Sequence, residues 1–160
     1  MRGVALAVVI ALAAAPALGD MVNDCVNEAK RYDRAIEACT EAINSGEWSG
    51  GDLAWAYTNR GLAHYELGEY RDALADYSEA LELDPDYGDA HYGRAAAYCS
   101  MGRPAQAARW YAVAIEGGAW PAGEAQRYLQ DEGFYYGVLH GRLSEETLNA
   151  LAMWARASCR

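Results

Sequence analysis

Small and apolar residues recur at three- and four-residue spacing along this chain, and the whole pattern then returns 34 residues later. Laying Ala54–Tyr87 over Gly88–Pro121 brings Arg60 onto Arg94, Ala63 onto Ala97, Gly68 onto Gly102, Ala73 onto Ala107, Tyr77 onto Tyr111 and Ala80 onto Ala114. The aromatic slots match in kind, with Tyr57 over His91 and His64 over Tyr98. Helical spacing predicts two helices in each unit. Gly68 is expected to end the first, because glycine enters the left-handed region without a Cβ clash. Asp84-Pro85 is expected to end the second, since the residue before proline avoids helical backbone. In the second helix, Ala73 and Ala80 leave room for a close partner and Tyr77 fills the gap between them. The next unit keeps a small residue at Ala95, the cap at Gly102, and Pro104 in the first turn, where its missing N–H costs nothing. A period of this length marks one helical pair stacked on copies of itself, so the predicted fold is all-α.

The pattern weakens towards both ends. Tyr32, Ala35, Cys39, Glu41 and Ala42 echo Tyr70, Ala73, Tyr77, Glu79 and Ala80 at an offset of 38. This predicts a partial first pair over 22–47, with helices Val22–Lys30 and Arg34–Ser45 and a tight turn between them. Beyond Pro121 the period fades. Ala125, Tyr128 and Leu129 share one face of a predicted helix over Ala122–Glu132, and three glycines and three aromatics in Gly133–Leu143 predict a compact turn. Ser144 is a good N-cap, followed by a helix with Leu148, Leu151 and Trp154 at helical spacing. The expected division is therefore a leader over 1–19, repeats over 20–121 and a C-terminal helical segment over 122–160.

The leader changes the setting. Arg2 precedes an uncharged apolar run from Gly3 to Ala15, and Ala17-Leu18-Gly19 offers small residues at a cleavage site. The run is shorter than the roughly 20 residues that span a bilayer. It reads as a secretory signal peptide, with no stable membrane insertion after cleavage. The expected address is the bacterial periplasm, with secretion as the second choice. Thirteen basic groups face twenty-three acids. Such a surface disfavours nucleic acid and anionic lipid and leans towards basic partners.

Cys25, Cys39, Cys99 and Cys159 make an even set in an exported chain, which points to disulfides rather than to metal or redox motifs, since no two stand at C-x-x-C spacing. Cys25 and Cys39 lie almost symmetrically about the first turn, which favours pairing them and leaves Cys99 for Cys159. The alternative is that one or both pairs are buried thiols.

The phrases Tyr70-Arg71-Asp72-Ala73-Leu74 and Leu81-Glu82-Leu83-Asp84-Pro85, with the slots above, closely resemble the tetratricopeptide repeat. The resemblance implies a solenoid of about three repeats, closed by the C-terminal segment, whose first helices line a concave, peptide-binding face. On that face it places Thr58, Asn59, Leu62, Tyr65, Glu66, Tyr92, Gly93, Ala96 and Cys99. It implies an unknown protein or peptide as partner and no enzymatic activity. Asn59 matches an asparagine that grips a partner's C-terminal carboxylate in some relatives, yet Asp89 and Gly93 stand where that clamp needs basic residues. A Cys99–Cys159 bridge would bring the last helix to the groove edge and partly fill it. Leu129-Gln130, Gly133-Phe134-Tyr135, Gly137, Gly141, Leu143-Ser144, Thr147 and Ala150-Leu151 also resemble the first two helices of a small peptidoglycan-binding module, which gives cell wall as the alternative ligand. His64 and His91 occupy packing slots, and Asp72, Asp76, Glu79 and Glu82 read as a solvated helix face. No motif calls for a cofactor or a metal.

Overall fold

The computed structural model describes residues 18–26 and 31–159. Residues 1–17 of the expected signal and 27–30 of the expected first helix lie outside them. The described residues form helices and turns, with no strand among them. The helices are α1 (Leu18–Val26), α2 (Tyr32–Asn44), α3 (Ala54–Glu66), α4 (Tyr70–Leu83), α5 (Gly88–Ser100), α6 (Pro104–Glu116), α7 (Ala122–Asp131) and α8 (Glu145–Ser158).

The two helices of each pair pack closely on each other, and the repeated caps make the turns. Gly68 and Gly102 sit at φ +80° and +67°. The Glu69 N–H donates to the His64 carbonyl and the Arg103 N–H to the Tyr98 carbonyl, both at 2.9 Å. These bonds satisfy carbonyls that the helix ends leave open. Helices α1, α3 and α5 touch in succession, whereas α2, α4 and α6 meet chiefly through the first helices between them. The first helices therefore form the inner, concave side.

Tyr77 explains the small slots. It is buried in α4 between α3 and α5. A Cβ at Gly61 would lie 2.9 Å from its Cε1, and a Cβ at Gly93 2.4 Å from its Cζ. Both first helices must therefore present bare backbone to this ring. Gly93, expected on the binding face, is half-buried and turns its Cα hydrogen to this ring.

Two further findings concern charge and the tail. Asp76 is not on a solvated face. It is 5% exposed, and Arg60 clasps it in a bidentate pair at 2.9 and 2.6 Å while also donating to Thr40 Oγ1 at 3.0 Å. One guanidinium thus ties α2, α3 and α4 together. In the next unit Trp110 replaces Asp76, and Arg94 lies over its ring at 4.0 Å. An ion pair has become a cation–π contact in the same slot. The tail helix α8 reaches the groove edge through the Cys99–Cys159 bridge, as expected, without lying along the groove. It packs chiefly on α6, where Leu151, Trp154 and Ala155 join Ala107, Tyr111 and Ile115 in a shared core.

Disulfides join Cys25 to Cys39 and Cys99 to Cys159, with Cα–Cα distances of 4.7 and 4.5 Å. The segment between α7 and α8 is held by Gln126, which is fully buried. Its Nε2 donates to the Arg142 carbonyl at 2.9 Å and to Thr147 Oγ1 at 3.0 Å. Its Oε1 accepts from the His140 and Gly141 N–H groups, both at 3.1 Å. One amide side chain thus makes the four bonds open to it.

Candidate functional site

The concave face presents part of the expected set. Leu62 and Tyr92 are 43% and 42% exposed, and Glu66 is also exposed. Tyr65 is half-buried, with its hydroxyl 3.1 Å from that of Ser100, which links α3 to α5. Glu66 accepts a hydrogen bond from the Tyr32 hydroxyl at 3.2 Å. Ala96 is half-buried. Thr58 is buried, so it contributes packing rather than a binding surface, against expectation. Asn59 donates from Nδ2 to the Trp55 carbonyl at 2.9 Å, one turn back along its own helix. Cys99 is consumed by its disulfide.

The face ends in a feature that the repeat pattern alone does not announce. Tyr92 of α5, Tyr111 of α6, Trp120 before α7, Tyr128 of α7 and Trp154 of α8 form a closed circuit of rings. Going round it, Tyr92–Tyr111, Tyr111–Trp154, Trp154–Tyr128, Tyr128–Trp120 and Trp120–Tyr92 have centroid separations of 5.3, 5.5, 5.7, 5.7 and 6.0 Å. Every contact is edge-to-face, with interplanar angles from 64° to 89°. A further contact, Tyr111–Trp120 at 5.6 Å, crosses the circuit. The five side chains line an open cavity of about 320 Å³. Tyr111 and Trp154, at 6% and 7% exposure, are its floor, and the more exposed Tyr92, Trp120 and Tyr128 are its walls.

Burial pushes the Tyr92 hydroxyl above its ordinary range, with smaller contributions from Tyr128 and Tyr65. Tyr111 is raised further, again mainly by burial. The Tyr92 and Tyr111 hydroxyls therefore stay neutral near neutral pH. Of its five members only Tyr92 belongs to the residues expected from the repeat pattern. The signal for the others was Tyr111 in a repeat slot, Tyr128 and Trp154 on their helix faces, and a tryptophan just before Pro121.

Elsewhere His64, Glu69 and Asp72 hold ligand-type atoms within 4.8 Å of one another. His64 Nδ1 already lies 2.7 Å from Glu69 Oε2, a hydrogen-bonding distance that brings two of the three together. His91 stacks on Trp110 at 5.6 Å, and its Nε2 lies 2.8 Å from the Pro85 carbonyl, in keeping with a packing role. No helix of the described residues is long and apolar enough to cross a membrane.

Two models of the tetratricopeptide repeat family match the chain, over residues 54–87 and 77–109. The chain is similar to Heat shock protein STI1 of Saccharomyces cerevisiae, 33% identical over 88 residues, which are 55% of this chain and 14% of that protein. It is similar to Serine/threonine-protein phosphatase 5 of Homo sapiens, 34% identical over 106 residues, covering 66% of this chain and 20% of the relative. A third similarity is to Mitochondrial import receptor subunit TOM70 of Rattus norvegicus, 35% identical over 72 residues, or 44% of this chain and 12% of that one. The chain spans a fifth or less of the length of these relatives.

Proposed function

We propose that this tetratricopeptide repeat protein is a non-enzymatic scaffold that binds a protein or peptide partner along its concave face. The observation that carries this reading is the run of Leu62, Tyr65 and Tyr92 leading into the five-ring socket. Large rigid aromatics around a partly desolvated pocket are the residue type that dominates binding energy at protein interfaces. In this reading the repeats are 22–47, 54–87 and 88–121, and 122–160 is a cap. The partner meets the protein in the periplasm or outside the cell, a location supported by the leader-like residues 1–19 and by the two disulfides, which persist in oxidising compartments. Similarity to an import receptor subunit and a heat shock protein supports a protein as partner and leaves its identity to experiment.

A photo-crosslinking side chain at Leu62, compared with one at Glu79 on α4, tests the reading in envelope extract. Discrete protein adducts are expected at the first position and not at the second. The same adducts at both positions, or none at Leu62, would overturn it.

A second reading assigns cell-wall binding to the C-terminal segment. Tyr136 and Val138, 84% and 80% exposed, project from the turn that Gln126 holds in place, and this supports it. Pelleting with purified sacculi, with the full chain against a Tyr136→Ser/Val138→Ser variant, decides it.

A further inference from the structure

We propose that the five-ring socket is a cage for a cationic side chain, a lysine ammonium or arginine guanidinium presented by a basic peptide. The inference rests on the reading of the concave face as a peptide-binding surface and names the chemistry of its end pocket.

Three observations lead there. The cavity is lined by aromatic rings with no aliphatic side chain among them. A slot for leucine or valine has no need of such uniformity, whereas a cation gains from every ring it faces. The rings also meet edge to face throughout, with six such contacts among five residues. An aromatic ring is positive at its edge and negative on its face. Each such contact sets one ring's edge against another's face, so the six contacts lock the five rings into one preorganised aromatic lining. The third observation is charge. The lining holds no acidic or basic side chain, and the protein around it carries a formal net charge of −10. A basic peptide is drawn to such a surface, and an acidic one is repelled. At about 320 Å³ the cavity is at the small end of ligand sites, the size for one side chain rather than a helix.

The test is an NMR titration that follows the indole N–H signals of Trp120 and Trp154. The probes are short acetylated peptide amides of one otherwise uncharged sequence, with lysine, arginine, norleucine or glutamate at the central position. Lysine and arginine are expected to bind about tenfold more tightly than norleucine, the scale of a partly desolvated cation–π contact. The preference should survive high salt, which screens the distant charges but not a cation seated on the rings. Tyr92→Leu/Tyr128→Leu changes only exposed walls and keeps the socket apolar, so it should bring lysine and norleucine to equal affinity. Equal binding of norleucine and lysine to the unaltered protein, or tightest binding of glutamate, overturns the cage. So does a socket that takes no probe at all. The crosslinks at Leu62 are read independently, so the cage can fail while the concave-face reading stands.

Discussion

Removing the Cys99–Cys159 bridge tests how the cap is held and, through it, the socket. Cys159 directly follows α8 and is 5% exposed, and Cys99 is the penultimate residue of α5. The two lie 60 residues apart in sequence, so the bridge closes a loop containing α6, α7, the Gln126 turn and α8. In the chain-entropy description, a loop of that length restricts the unfolded chain enough to contribute about 4 kcal/mol. The Cys25–Cys39 bridge, with a separation of 14, contributes about 3 kcal/mol on the same scale. Against a domain stability of about 5–15 kcal/mol, either is a large share. Cys99→Ser/Cys159→Ser should lower the melting temperature by about 10–15 °C, at roughly 3 °C per kcal/mol for a chain of this size. The location of the damage matters as much as its size. Each unit of a repeat protein contacts only its neighbours. Losing the C-terminal bridge should therefore loosen α8 and alter the near-ultraviolet circular dichroism of Trp120 and Trp154, while losing the N-terminal one should leave those signals unchanged. Melting curves of the two double variants, followed by far- and near-ultraviolet dichroism, give both readouts. A larger loss from the N-terminal pair, or a C-terminal double variant melting within a few degrees of the parent, would refute the reasoning.

Gly93→Ala places a methyl 2.4 Å from the buried Tyr77 ring. Overpacking should cost about 1–3 kcal/mol beyond the gain of up to about 1 kcal/mol in helix propensity, so urea denaturation should show a net loss; unchanged or improved stability would contradict the wedge. Asp76→Ala leaves the Arg60 guanidinium, 20% exposed, without its carboxylate. A loss of about 3 kcal/mol is expected, with less lost when Arg60→Met accompanies it; additive losses in a double-mutant cycle would count against the pairing. The hydroxyls of Tyr77 and Tyr111 are raised above their ordinary value of 10.0, chiefly by burial. In the unfolded chain they ionise near that value while in the fold they stay neutral. Their stabilisation is therefore whole below pH 10 and falls above it, by about 1.4 kcal/mol per pH unit for each group. Tyrosinate absorbance of these two should rise together with loss of helix; complete titration with the helices intact would contradict their burial.

The parts of this fold that read directly from the chain are those that one unit shares with the next. Ala73, Tyr77 and Ala80 announce a close crossing, and Gly68 and Gly102 announce the turns, because each is forced by contacts inside a single unit. The Arg60–Asp76 pair was hidden because four acids on one helix look alike until the packing selects which of them faces the neighbouring arginine. The slot does carry a trace of that contact, since Asp76 and Trp110 are unlike residues at equivalent positions, each engaging the arginine of its own unit. The socket was hidden for a different reason. Its members come from four helices and a connecting turn, and three of them stand at or beyond the point where the repeat period fades. A solenoid must stop, and its last pair exposes an apolar face that something must cover. Here α8 covers α6, and the Cys99–Cys159 bridge fixes its end. Leu151 and Ala155 pack part of that cover, and where it is aromatic it leaves Trp154 and Tyr111 as a floor with Tyr92, Trp120 and Tyr128 standing around it. The binding chemistry proposed for this protein is thus a by-product of how its repeat array is closed. It follows that loosening the cap should weaken the socket before it disturbs the groove at Leu62, an order that separates this account from one in which the site lies wholly within the repeats.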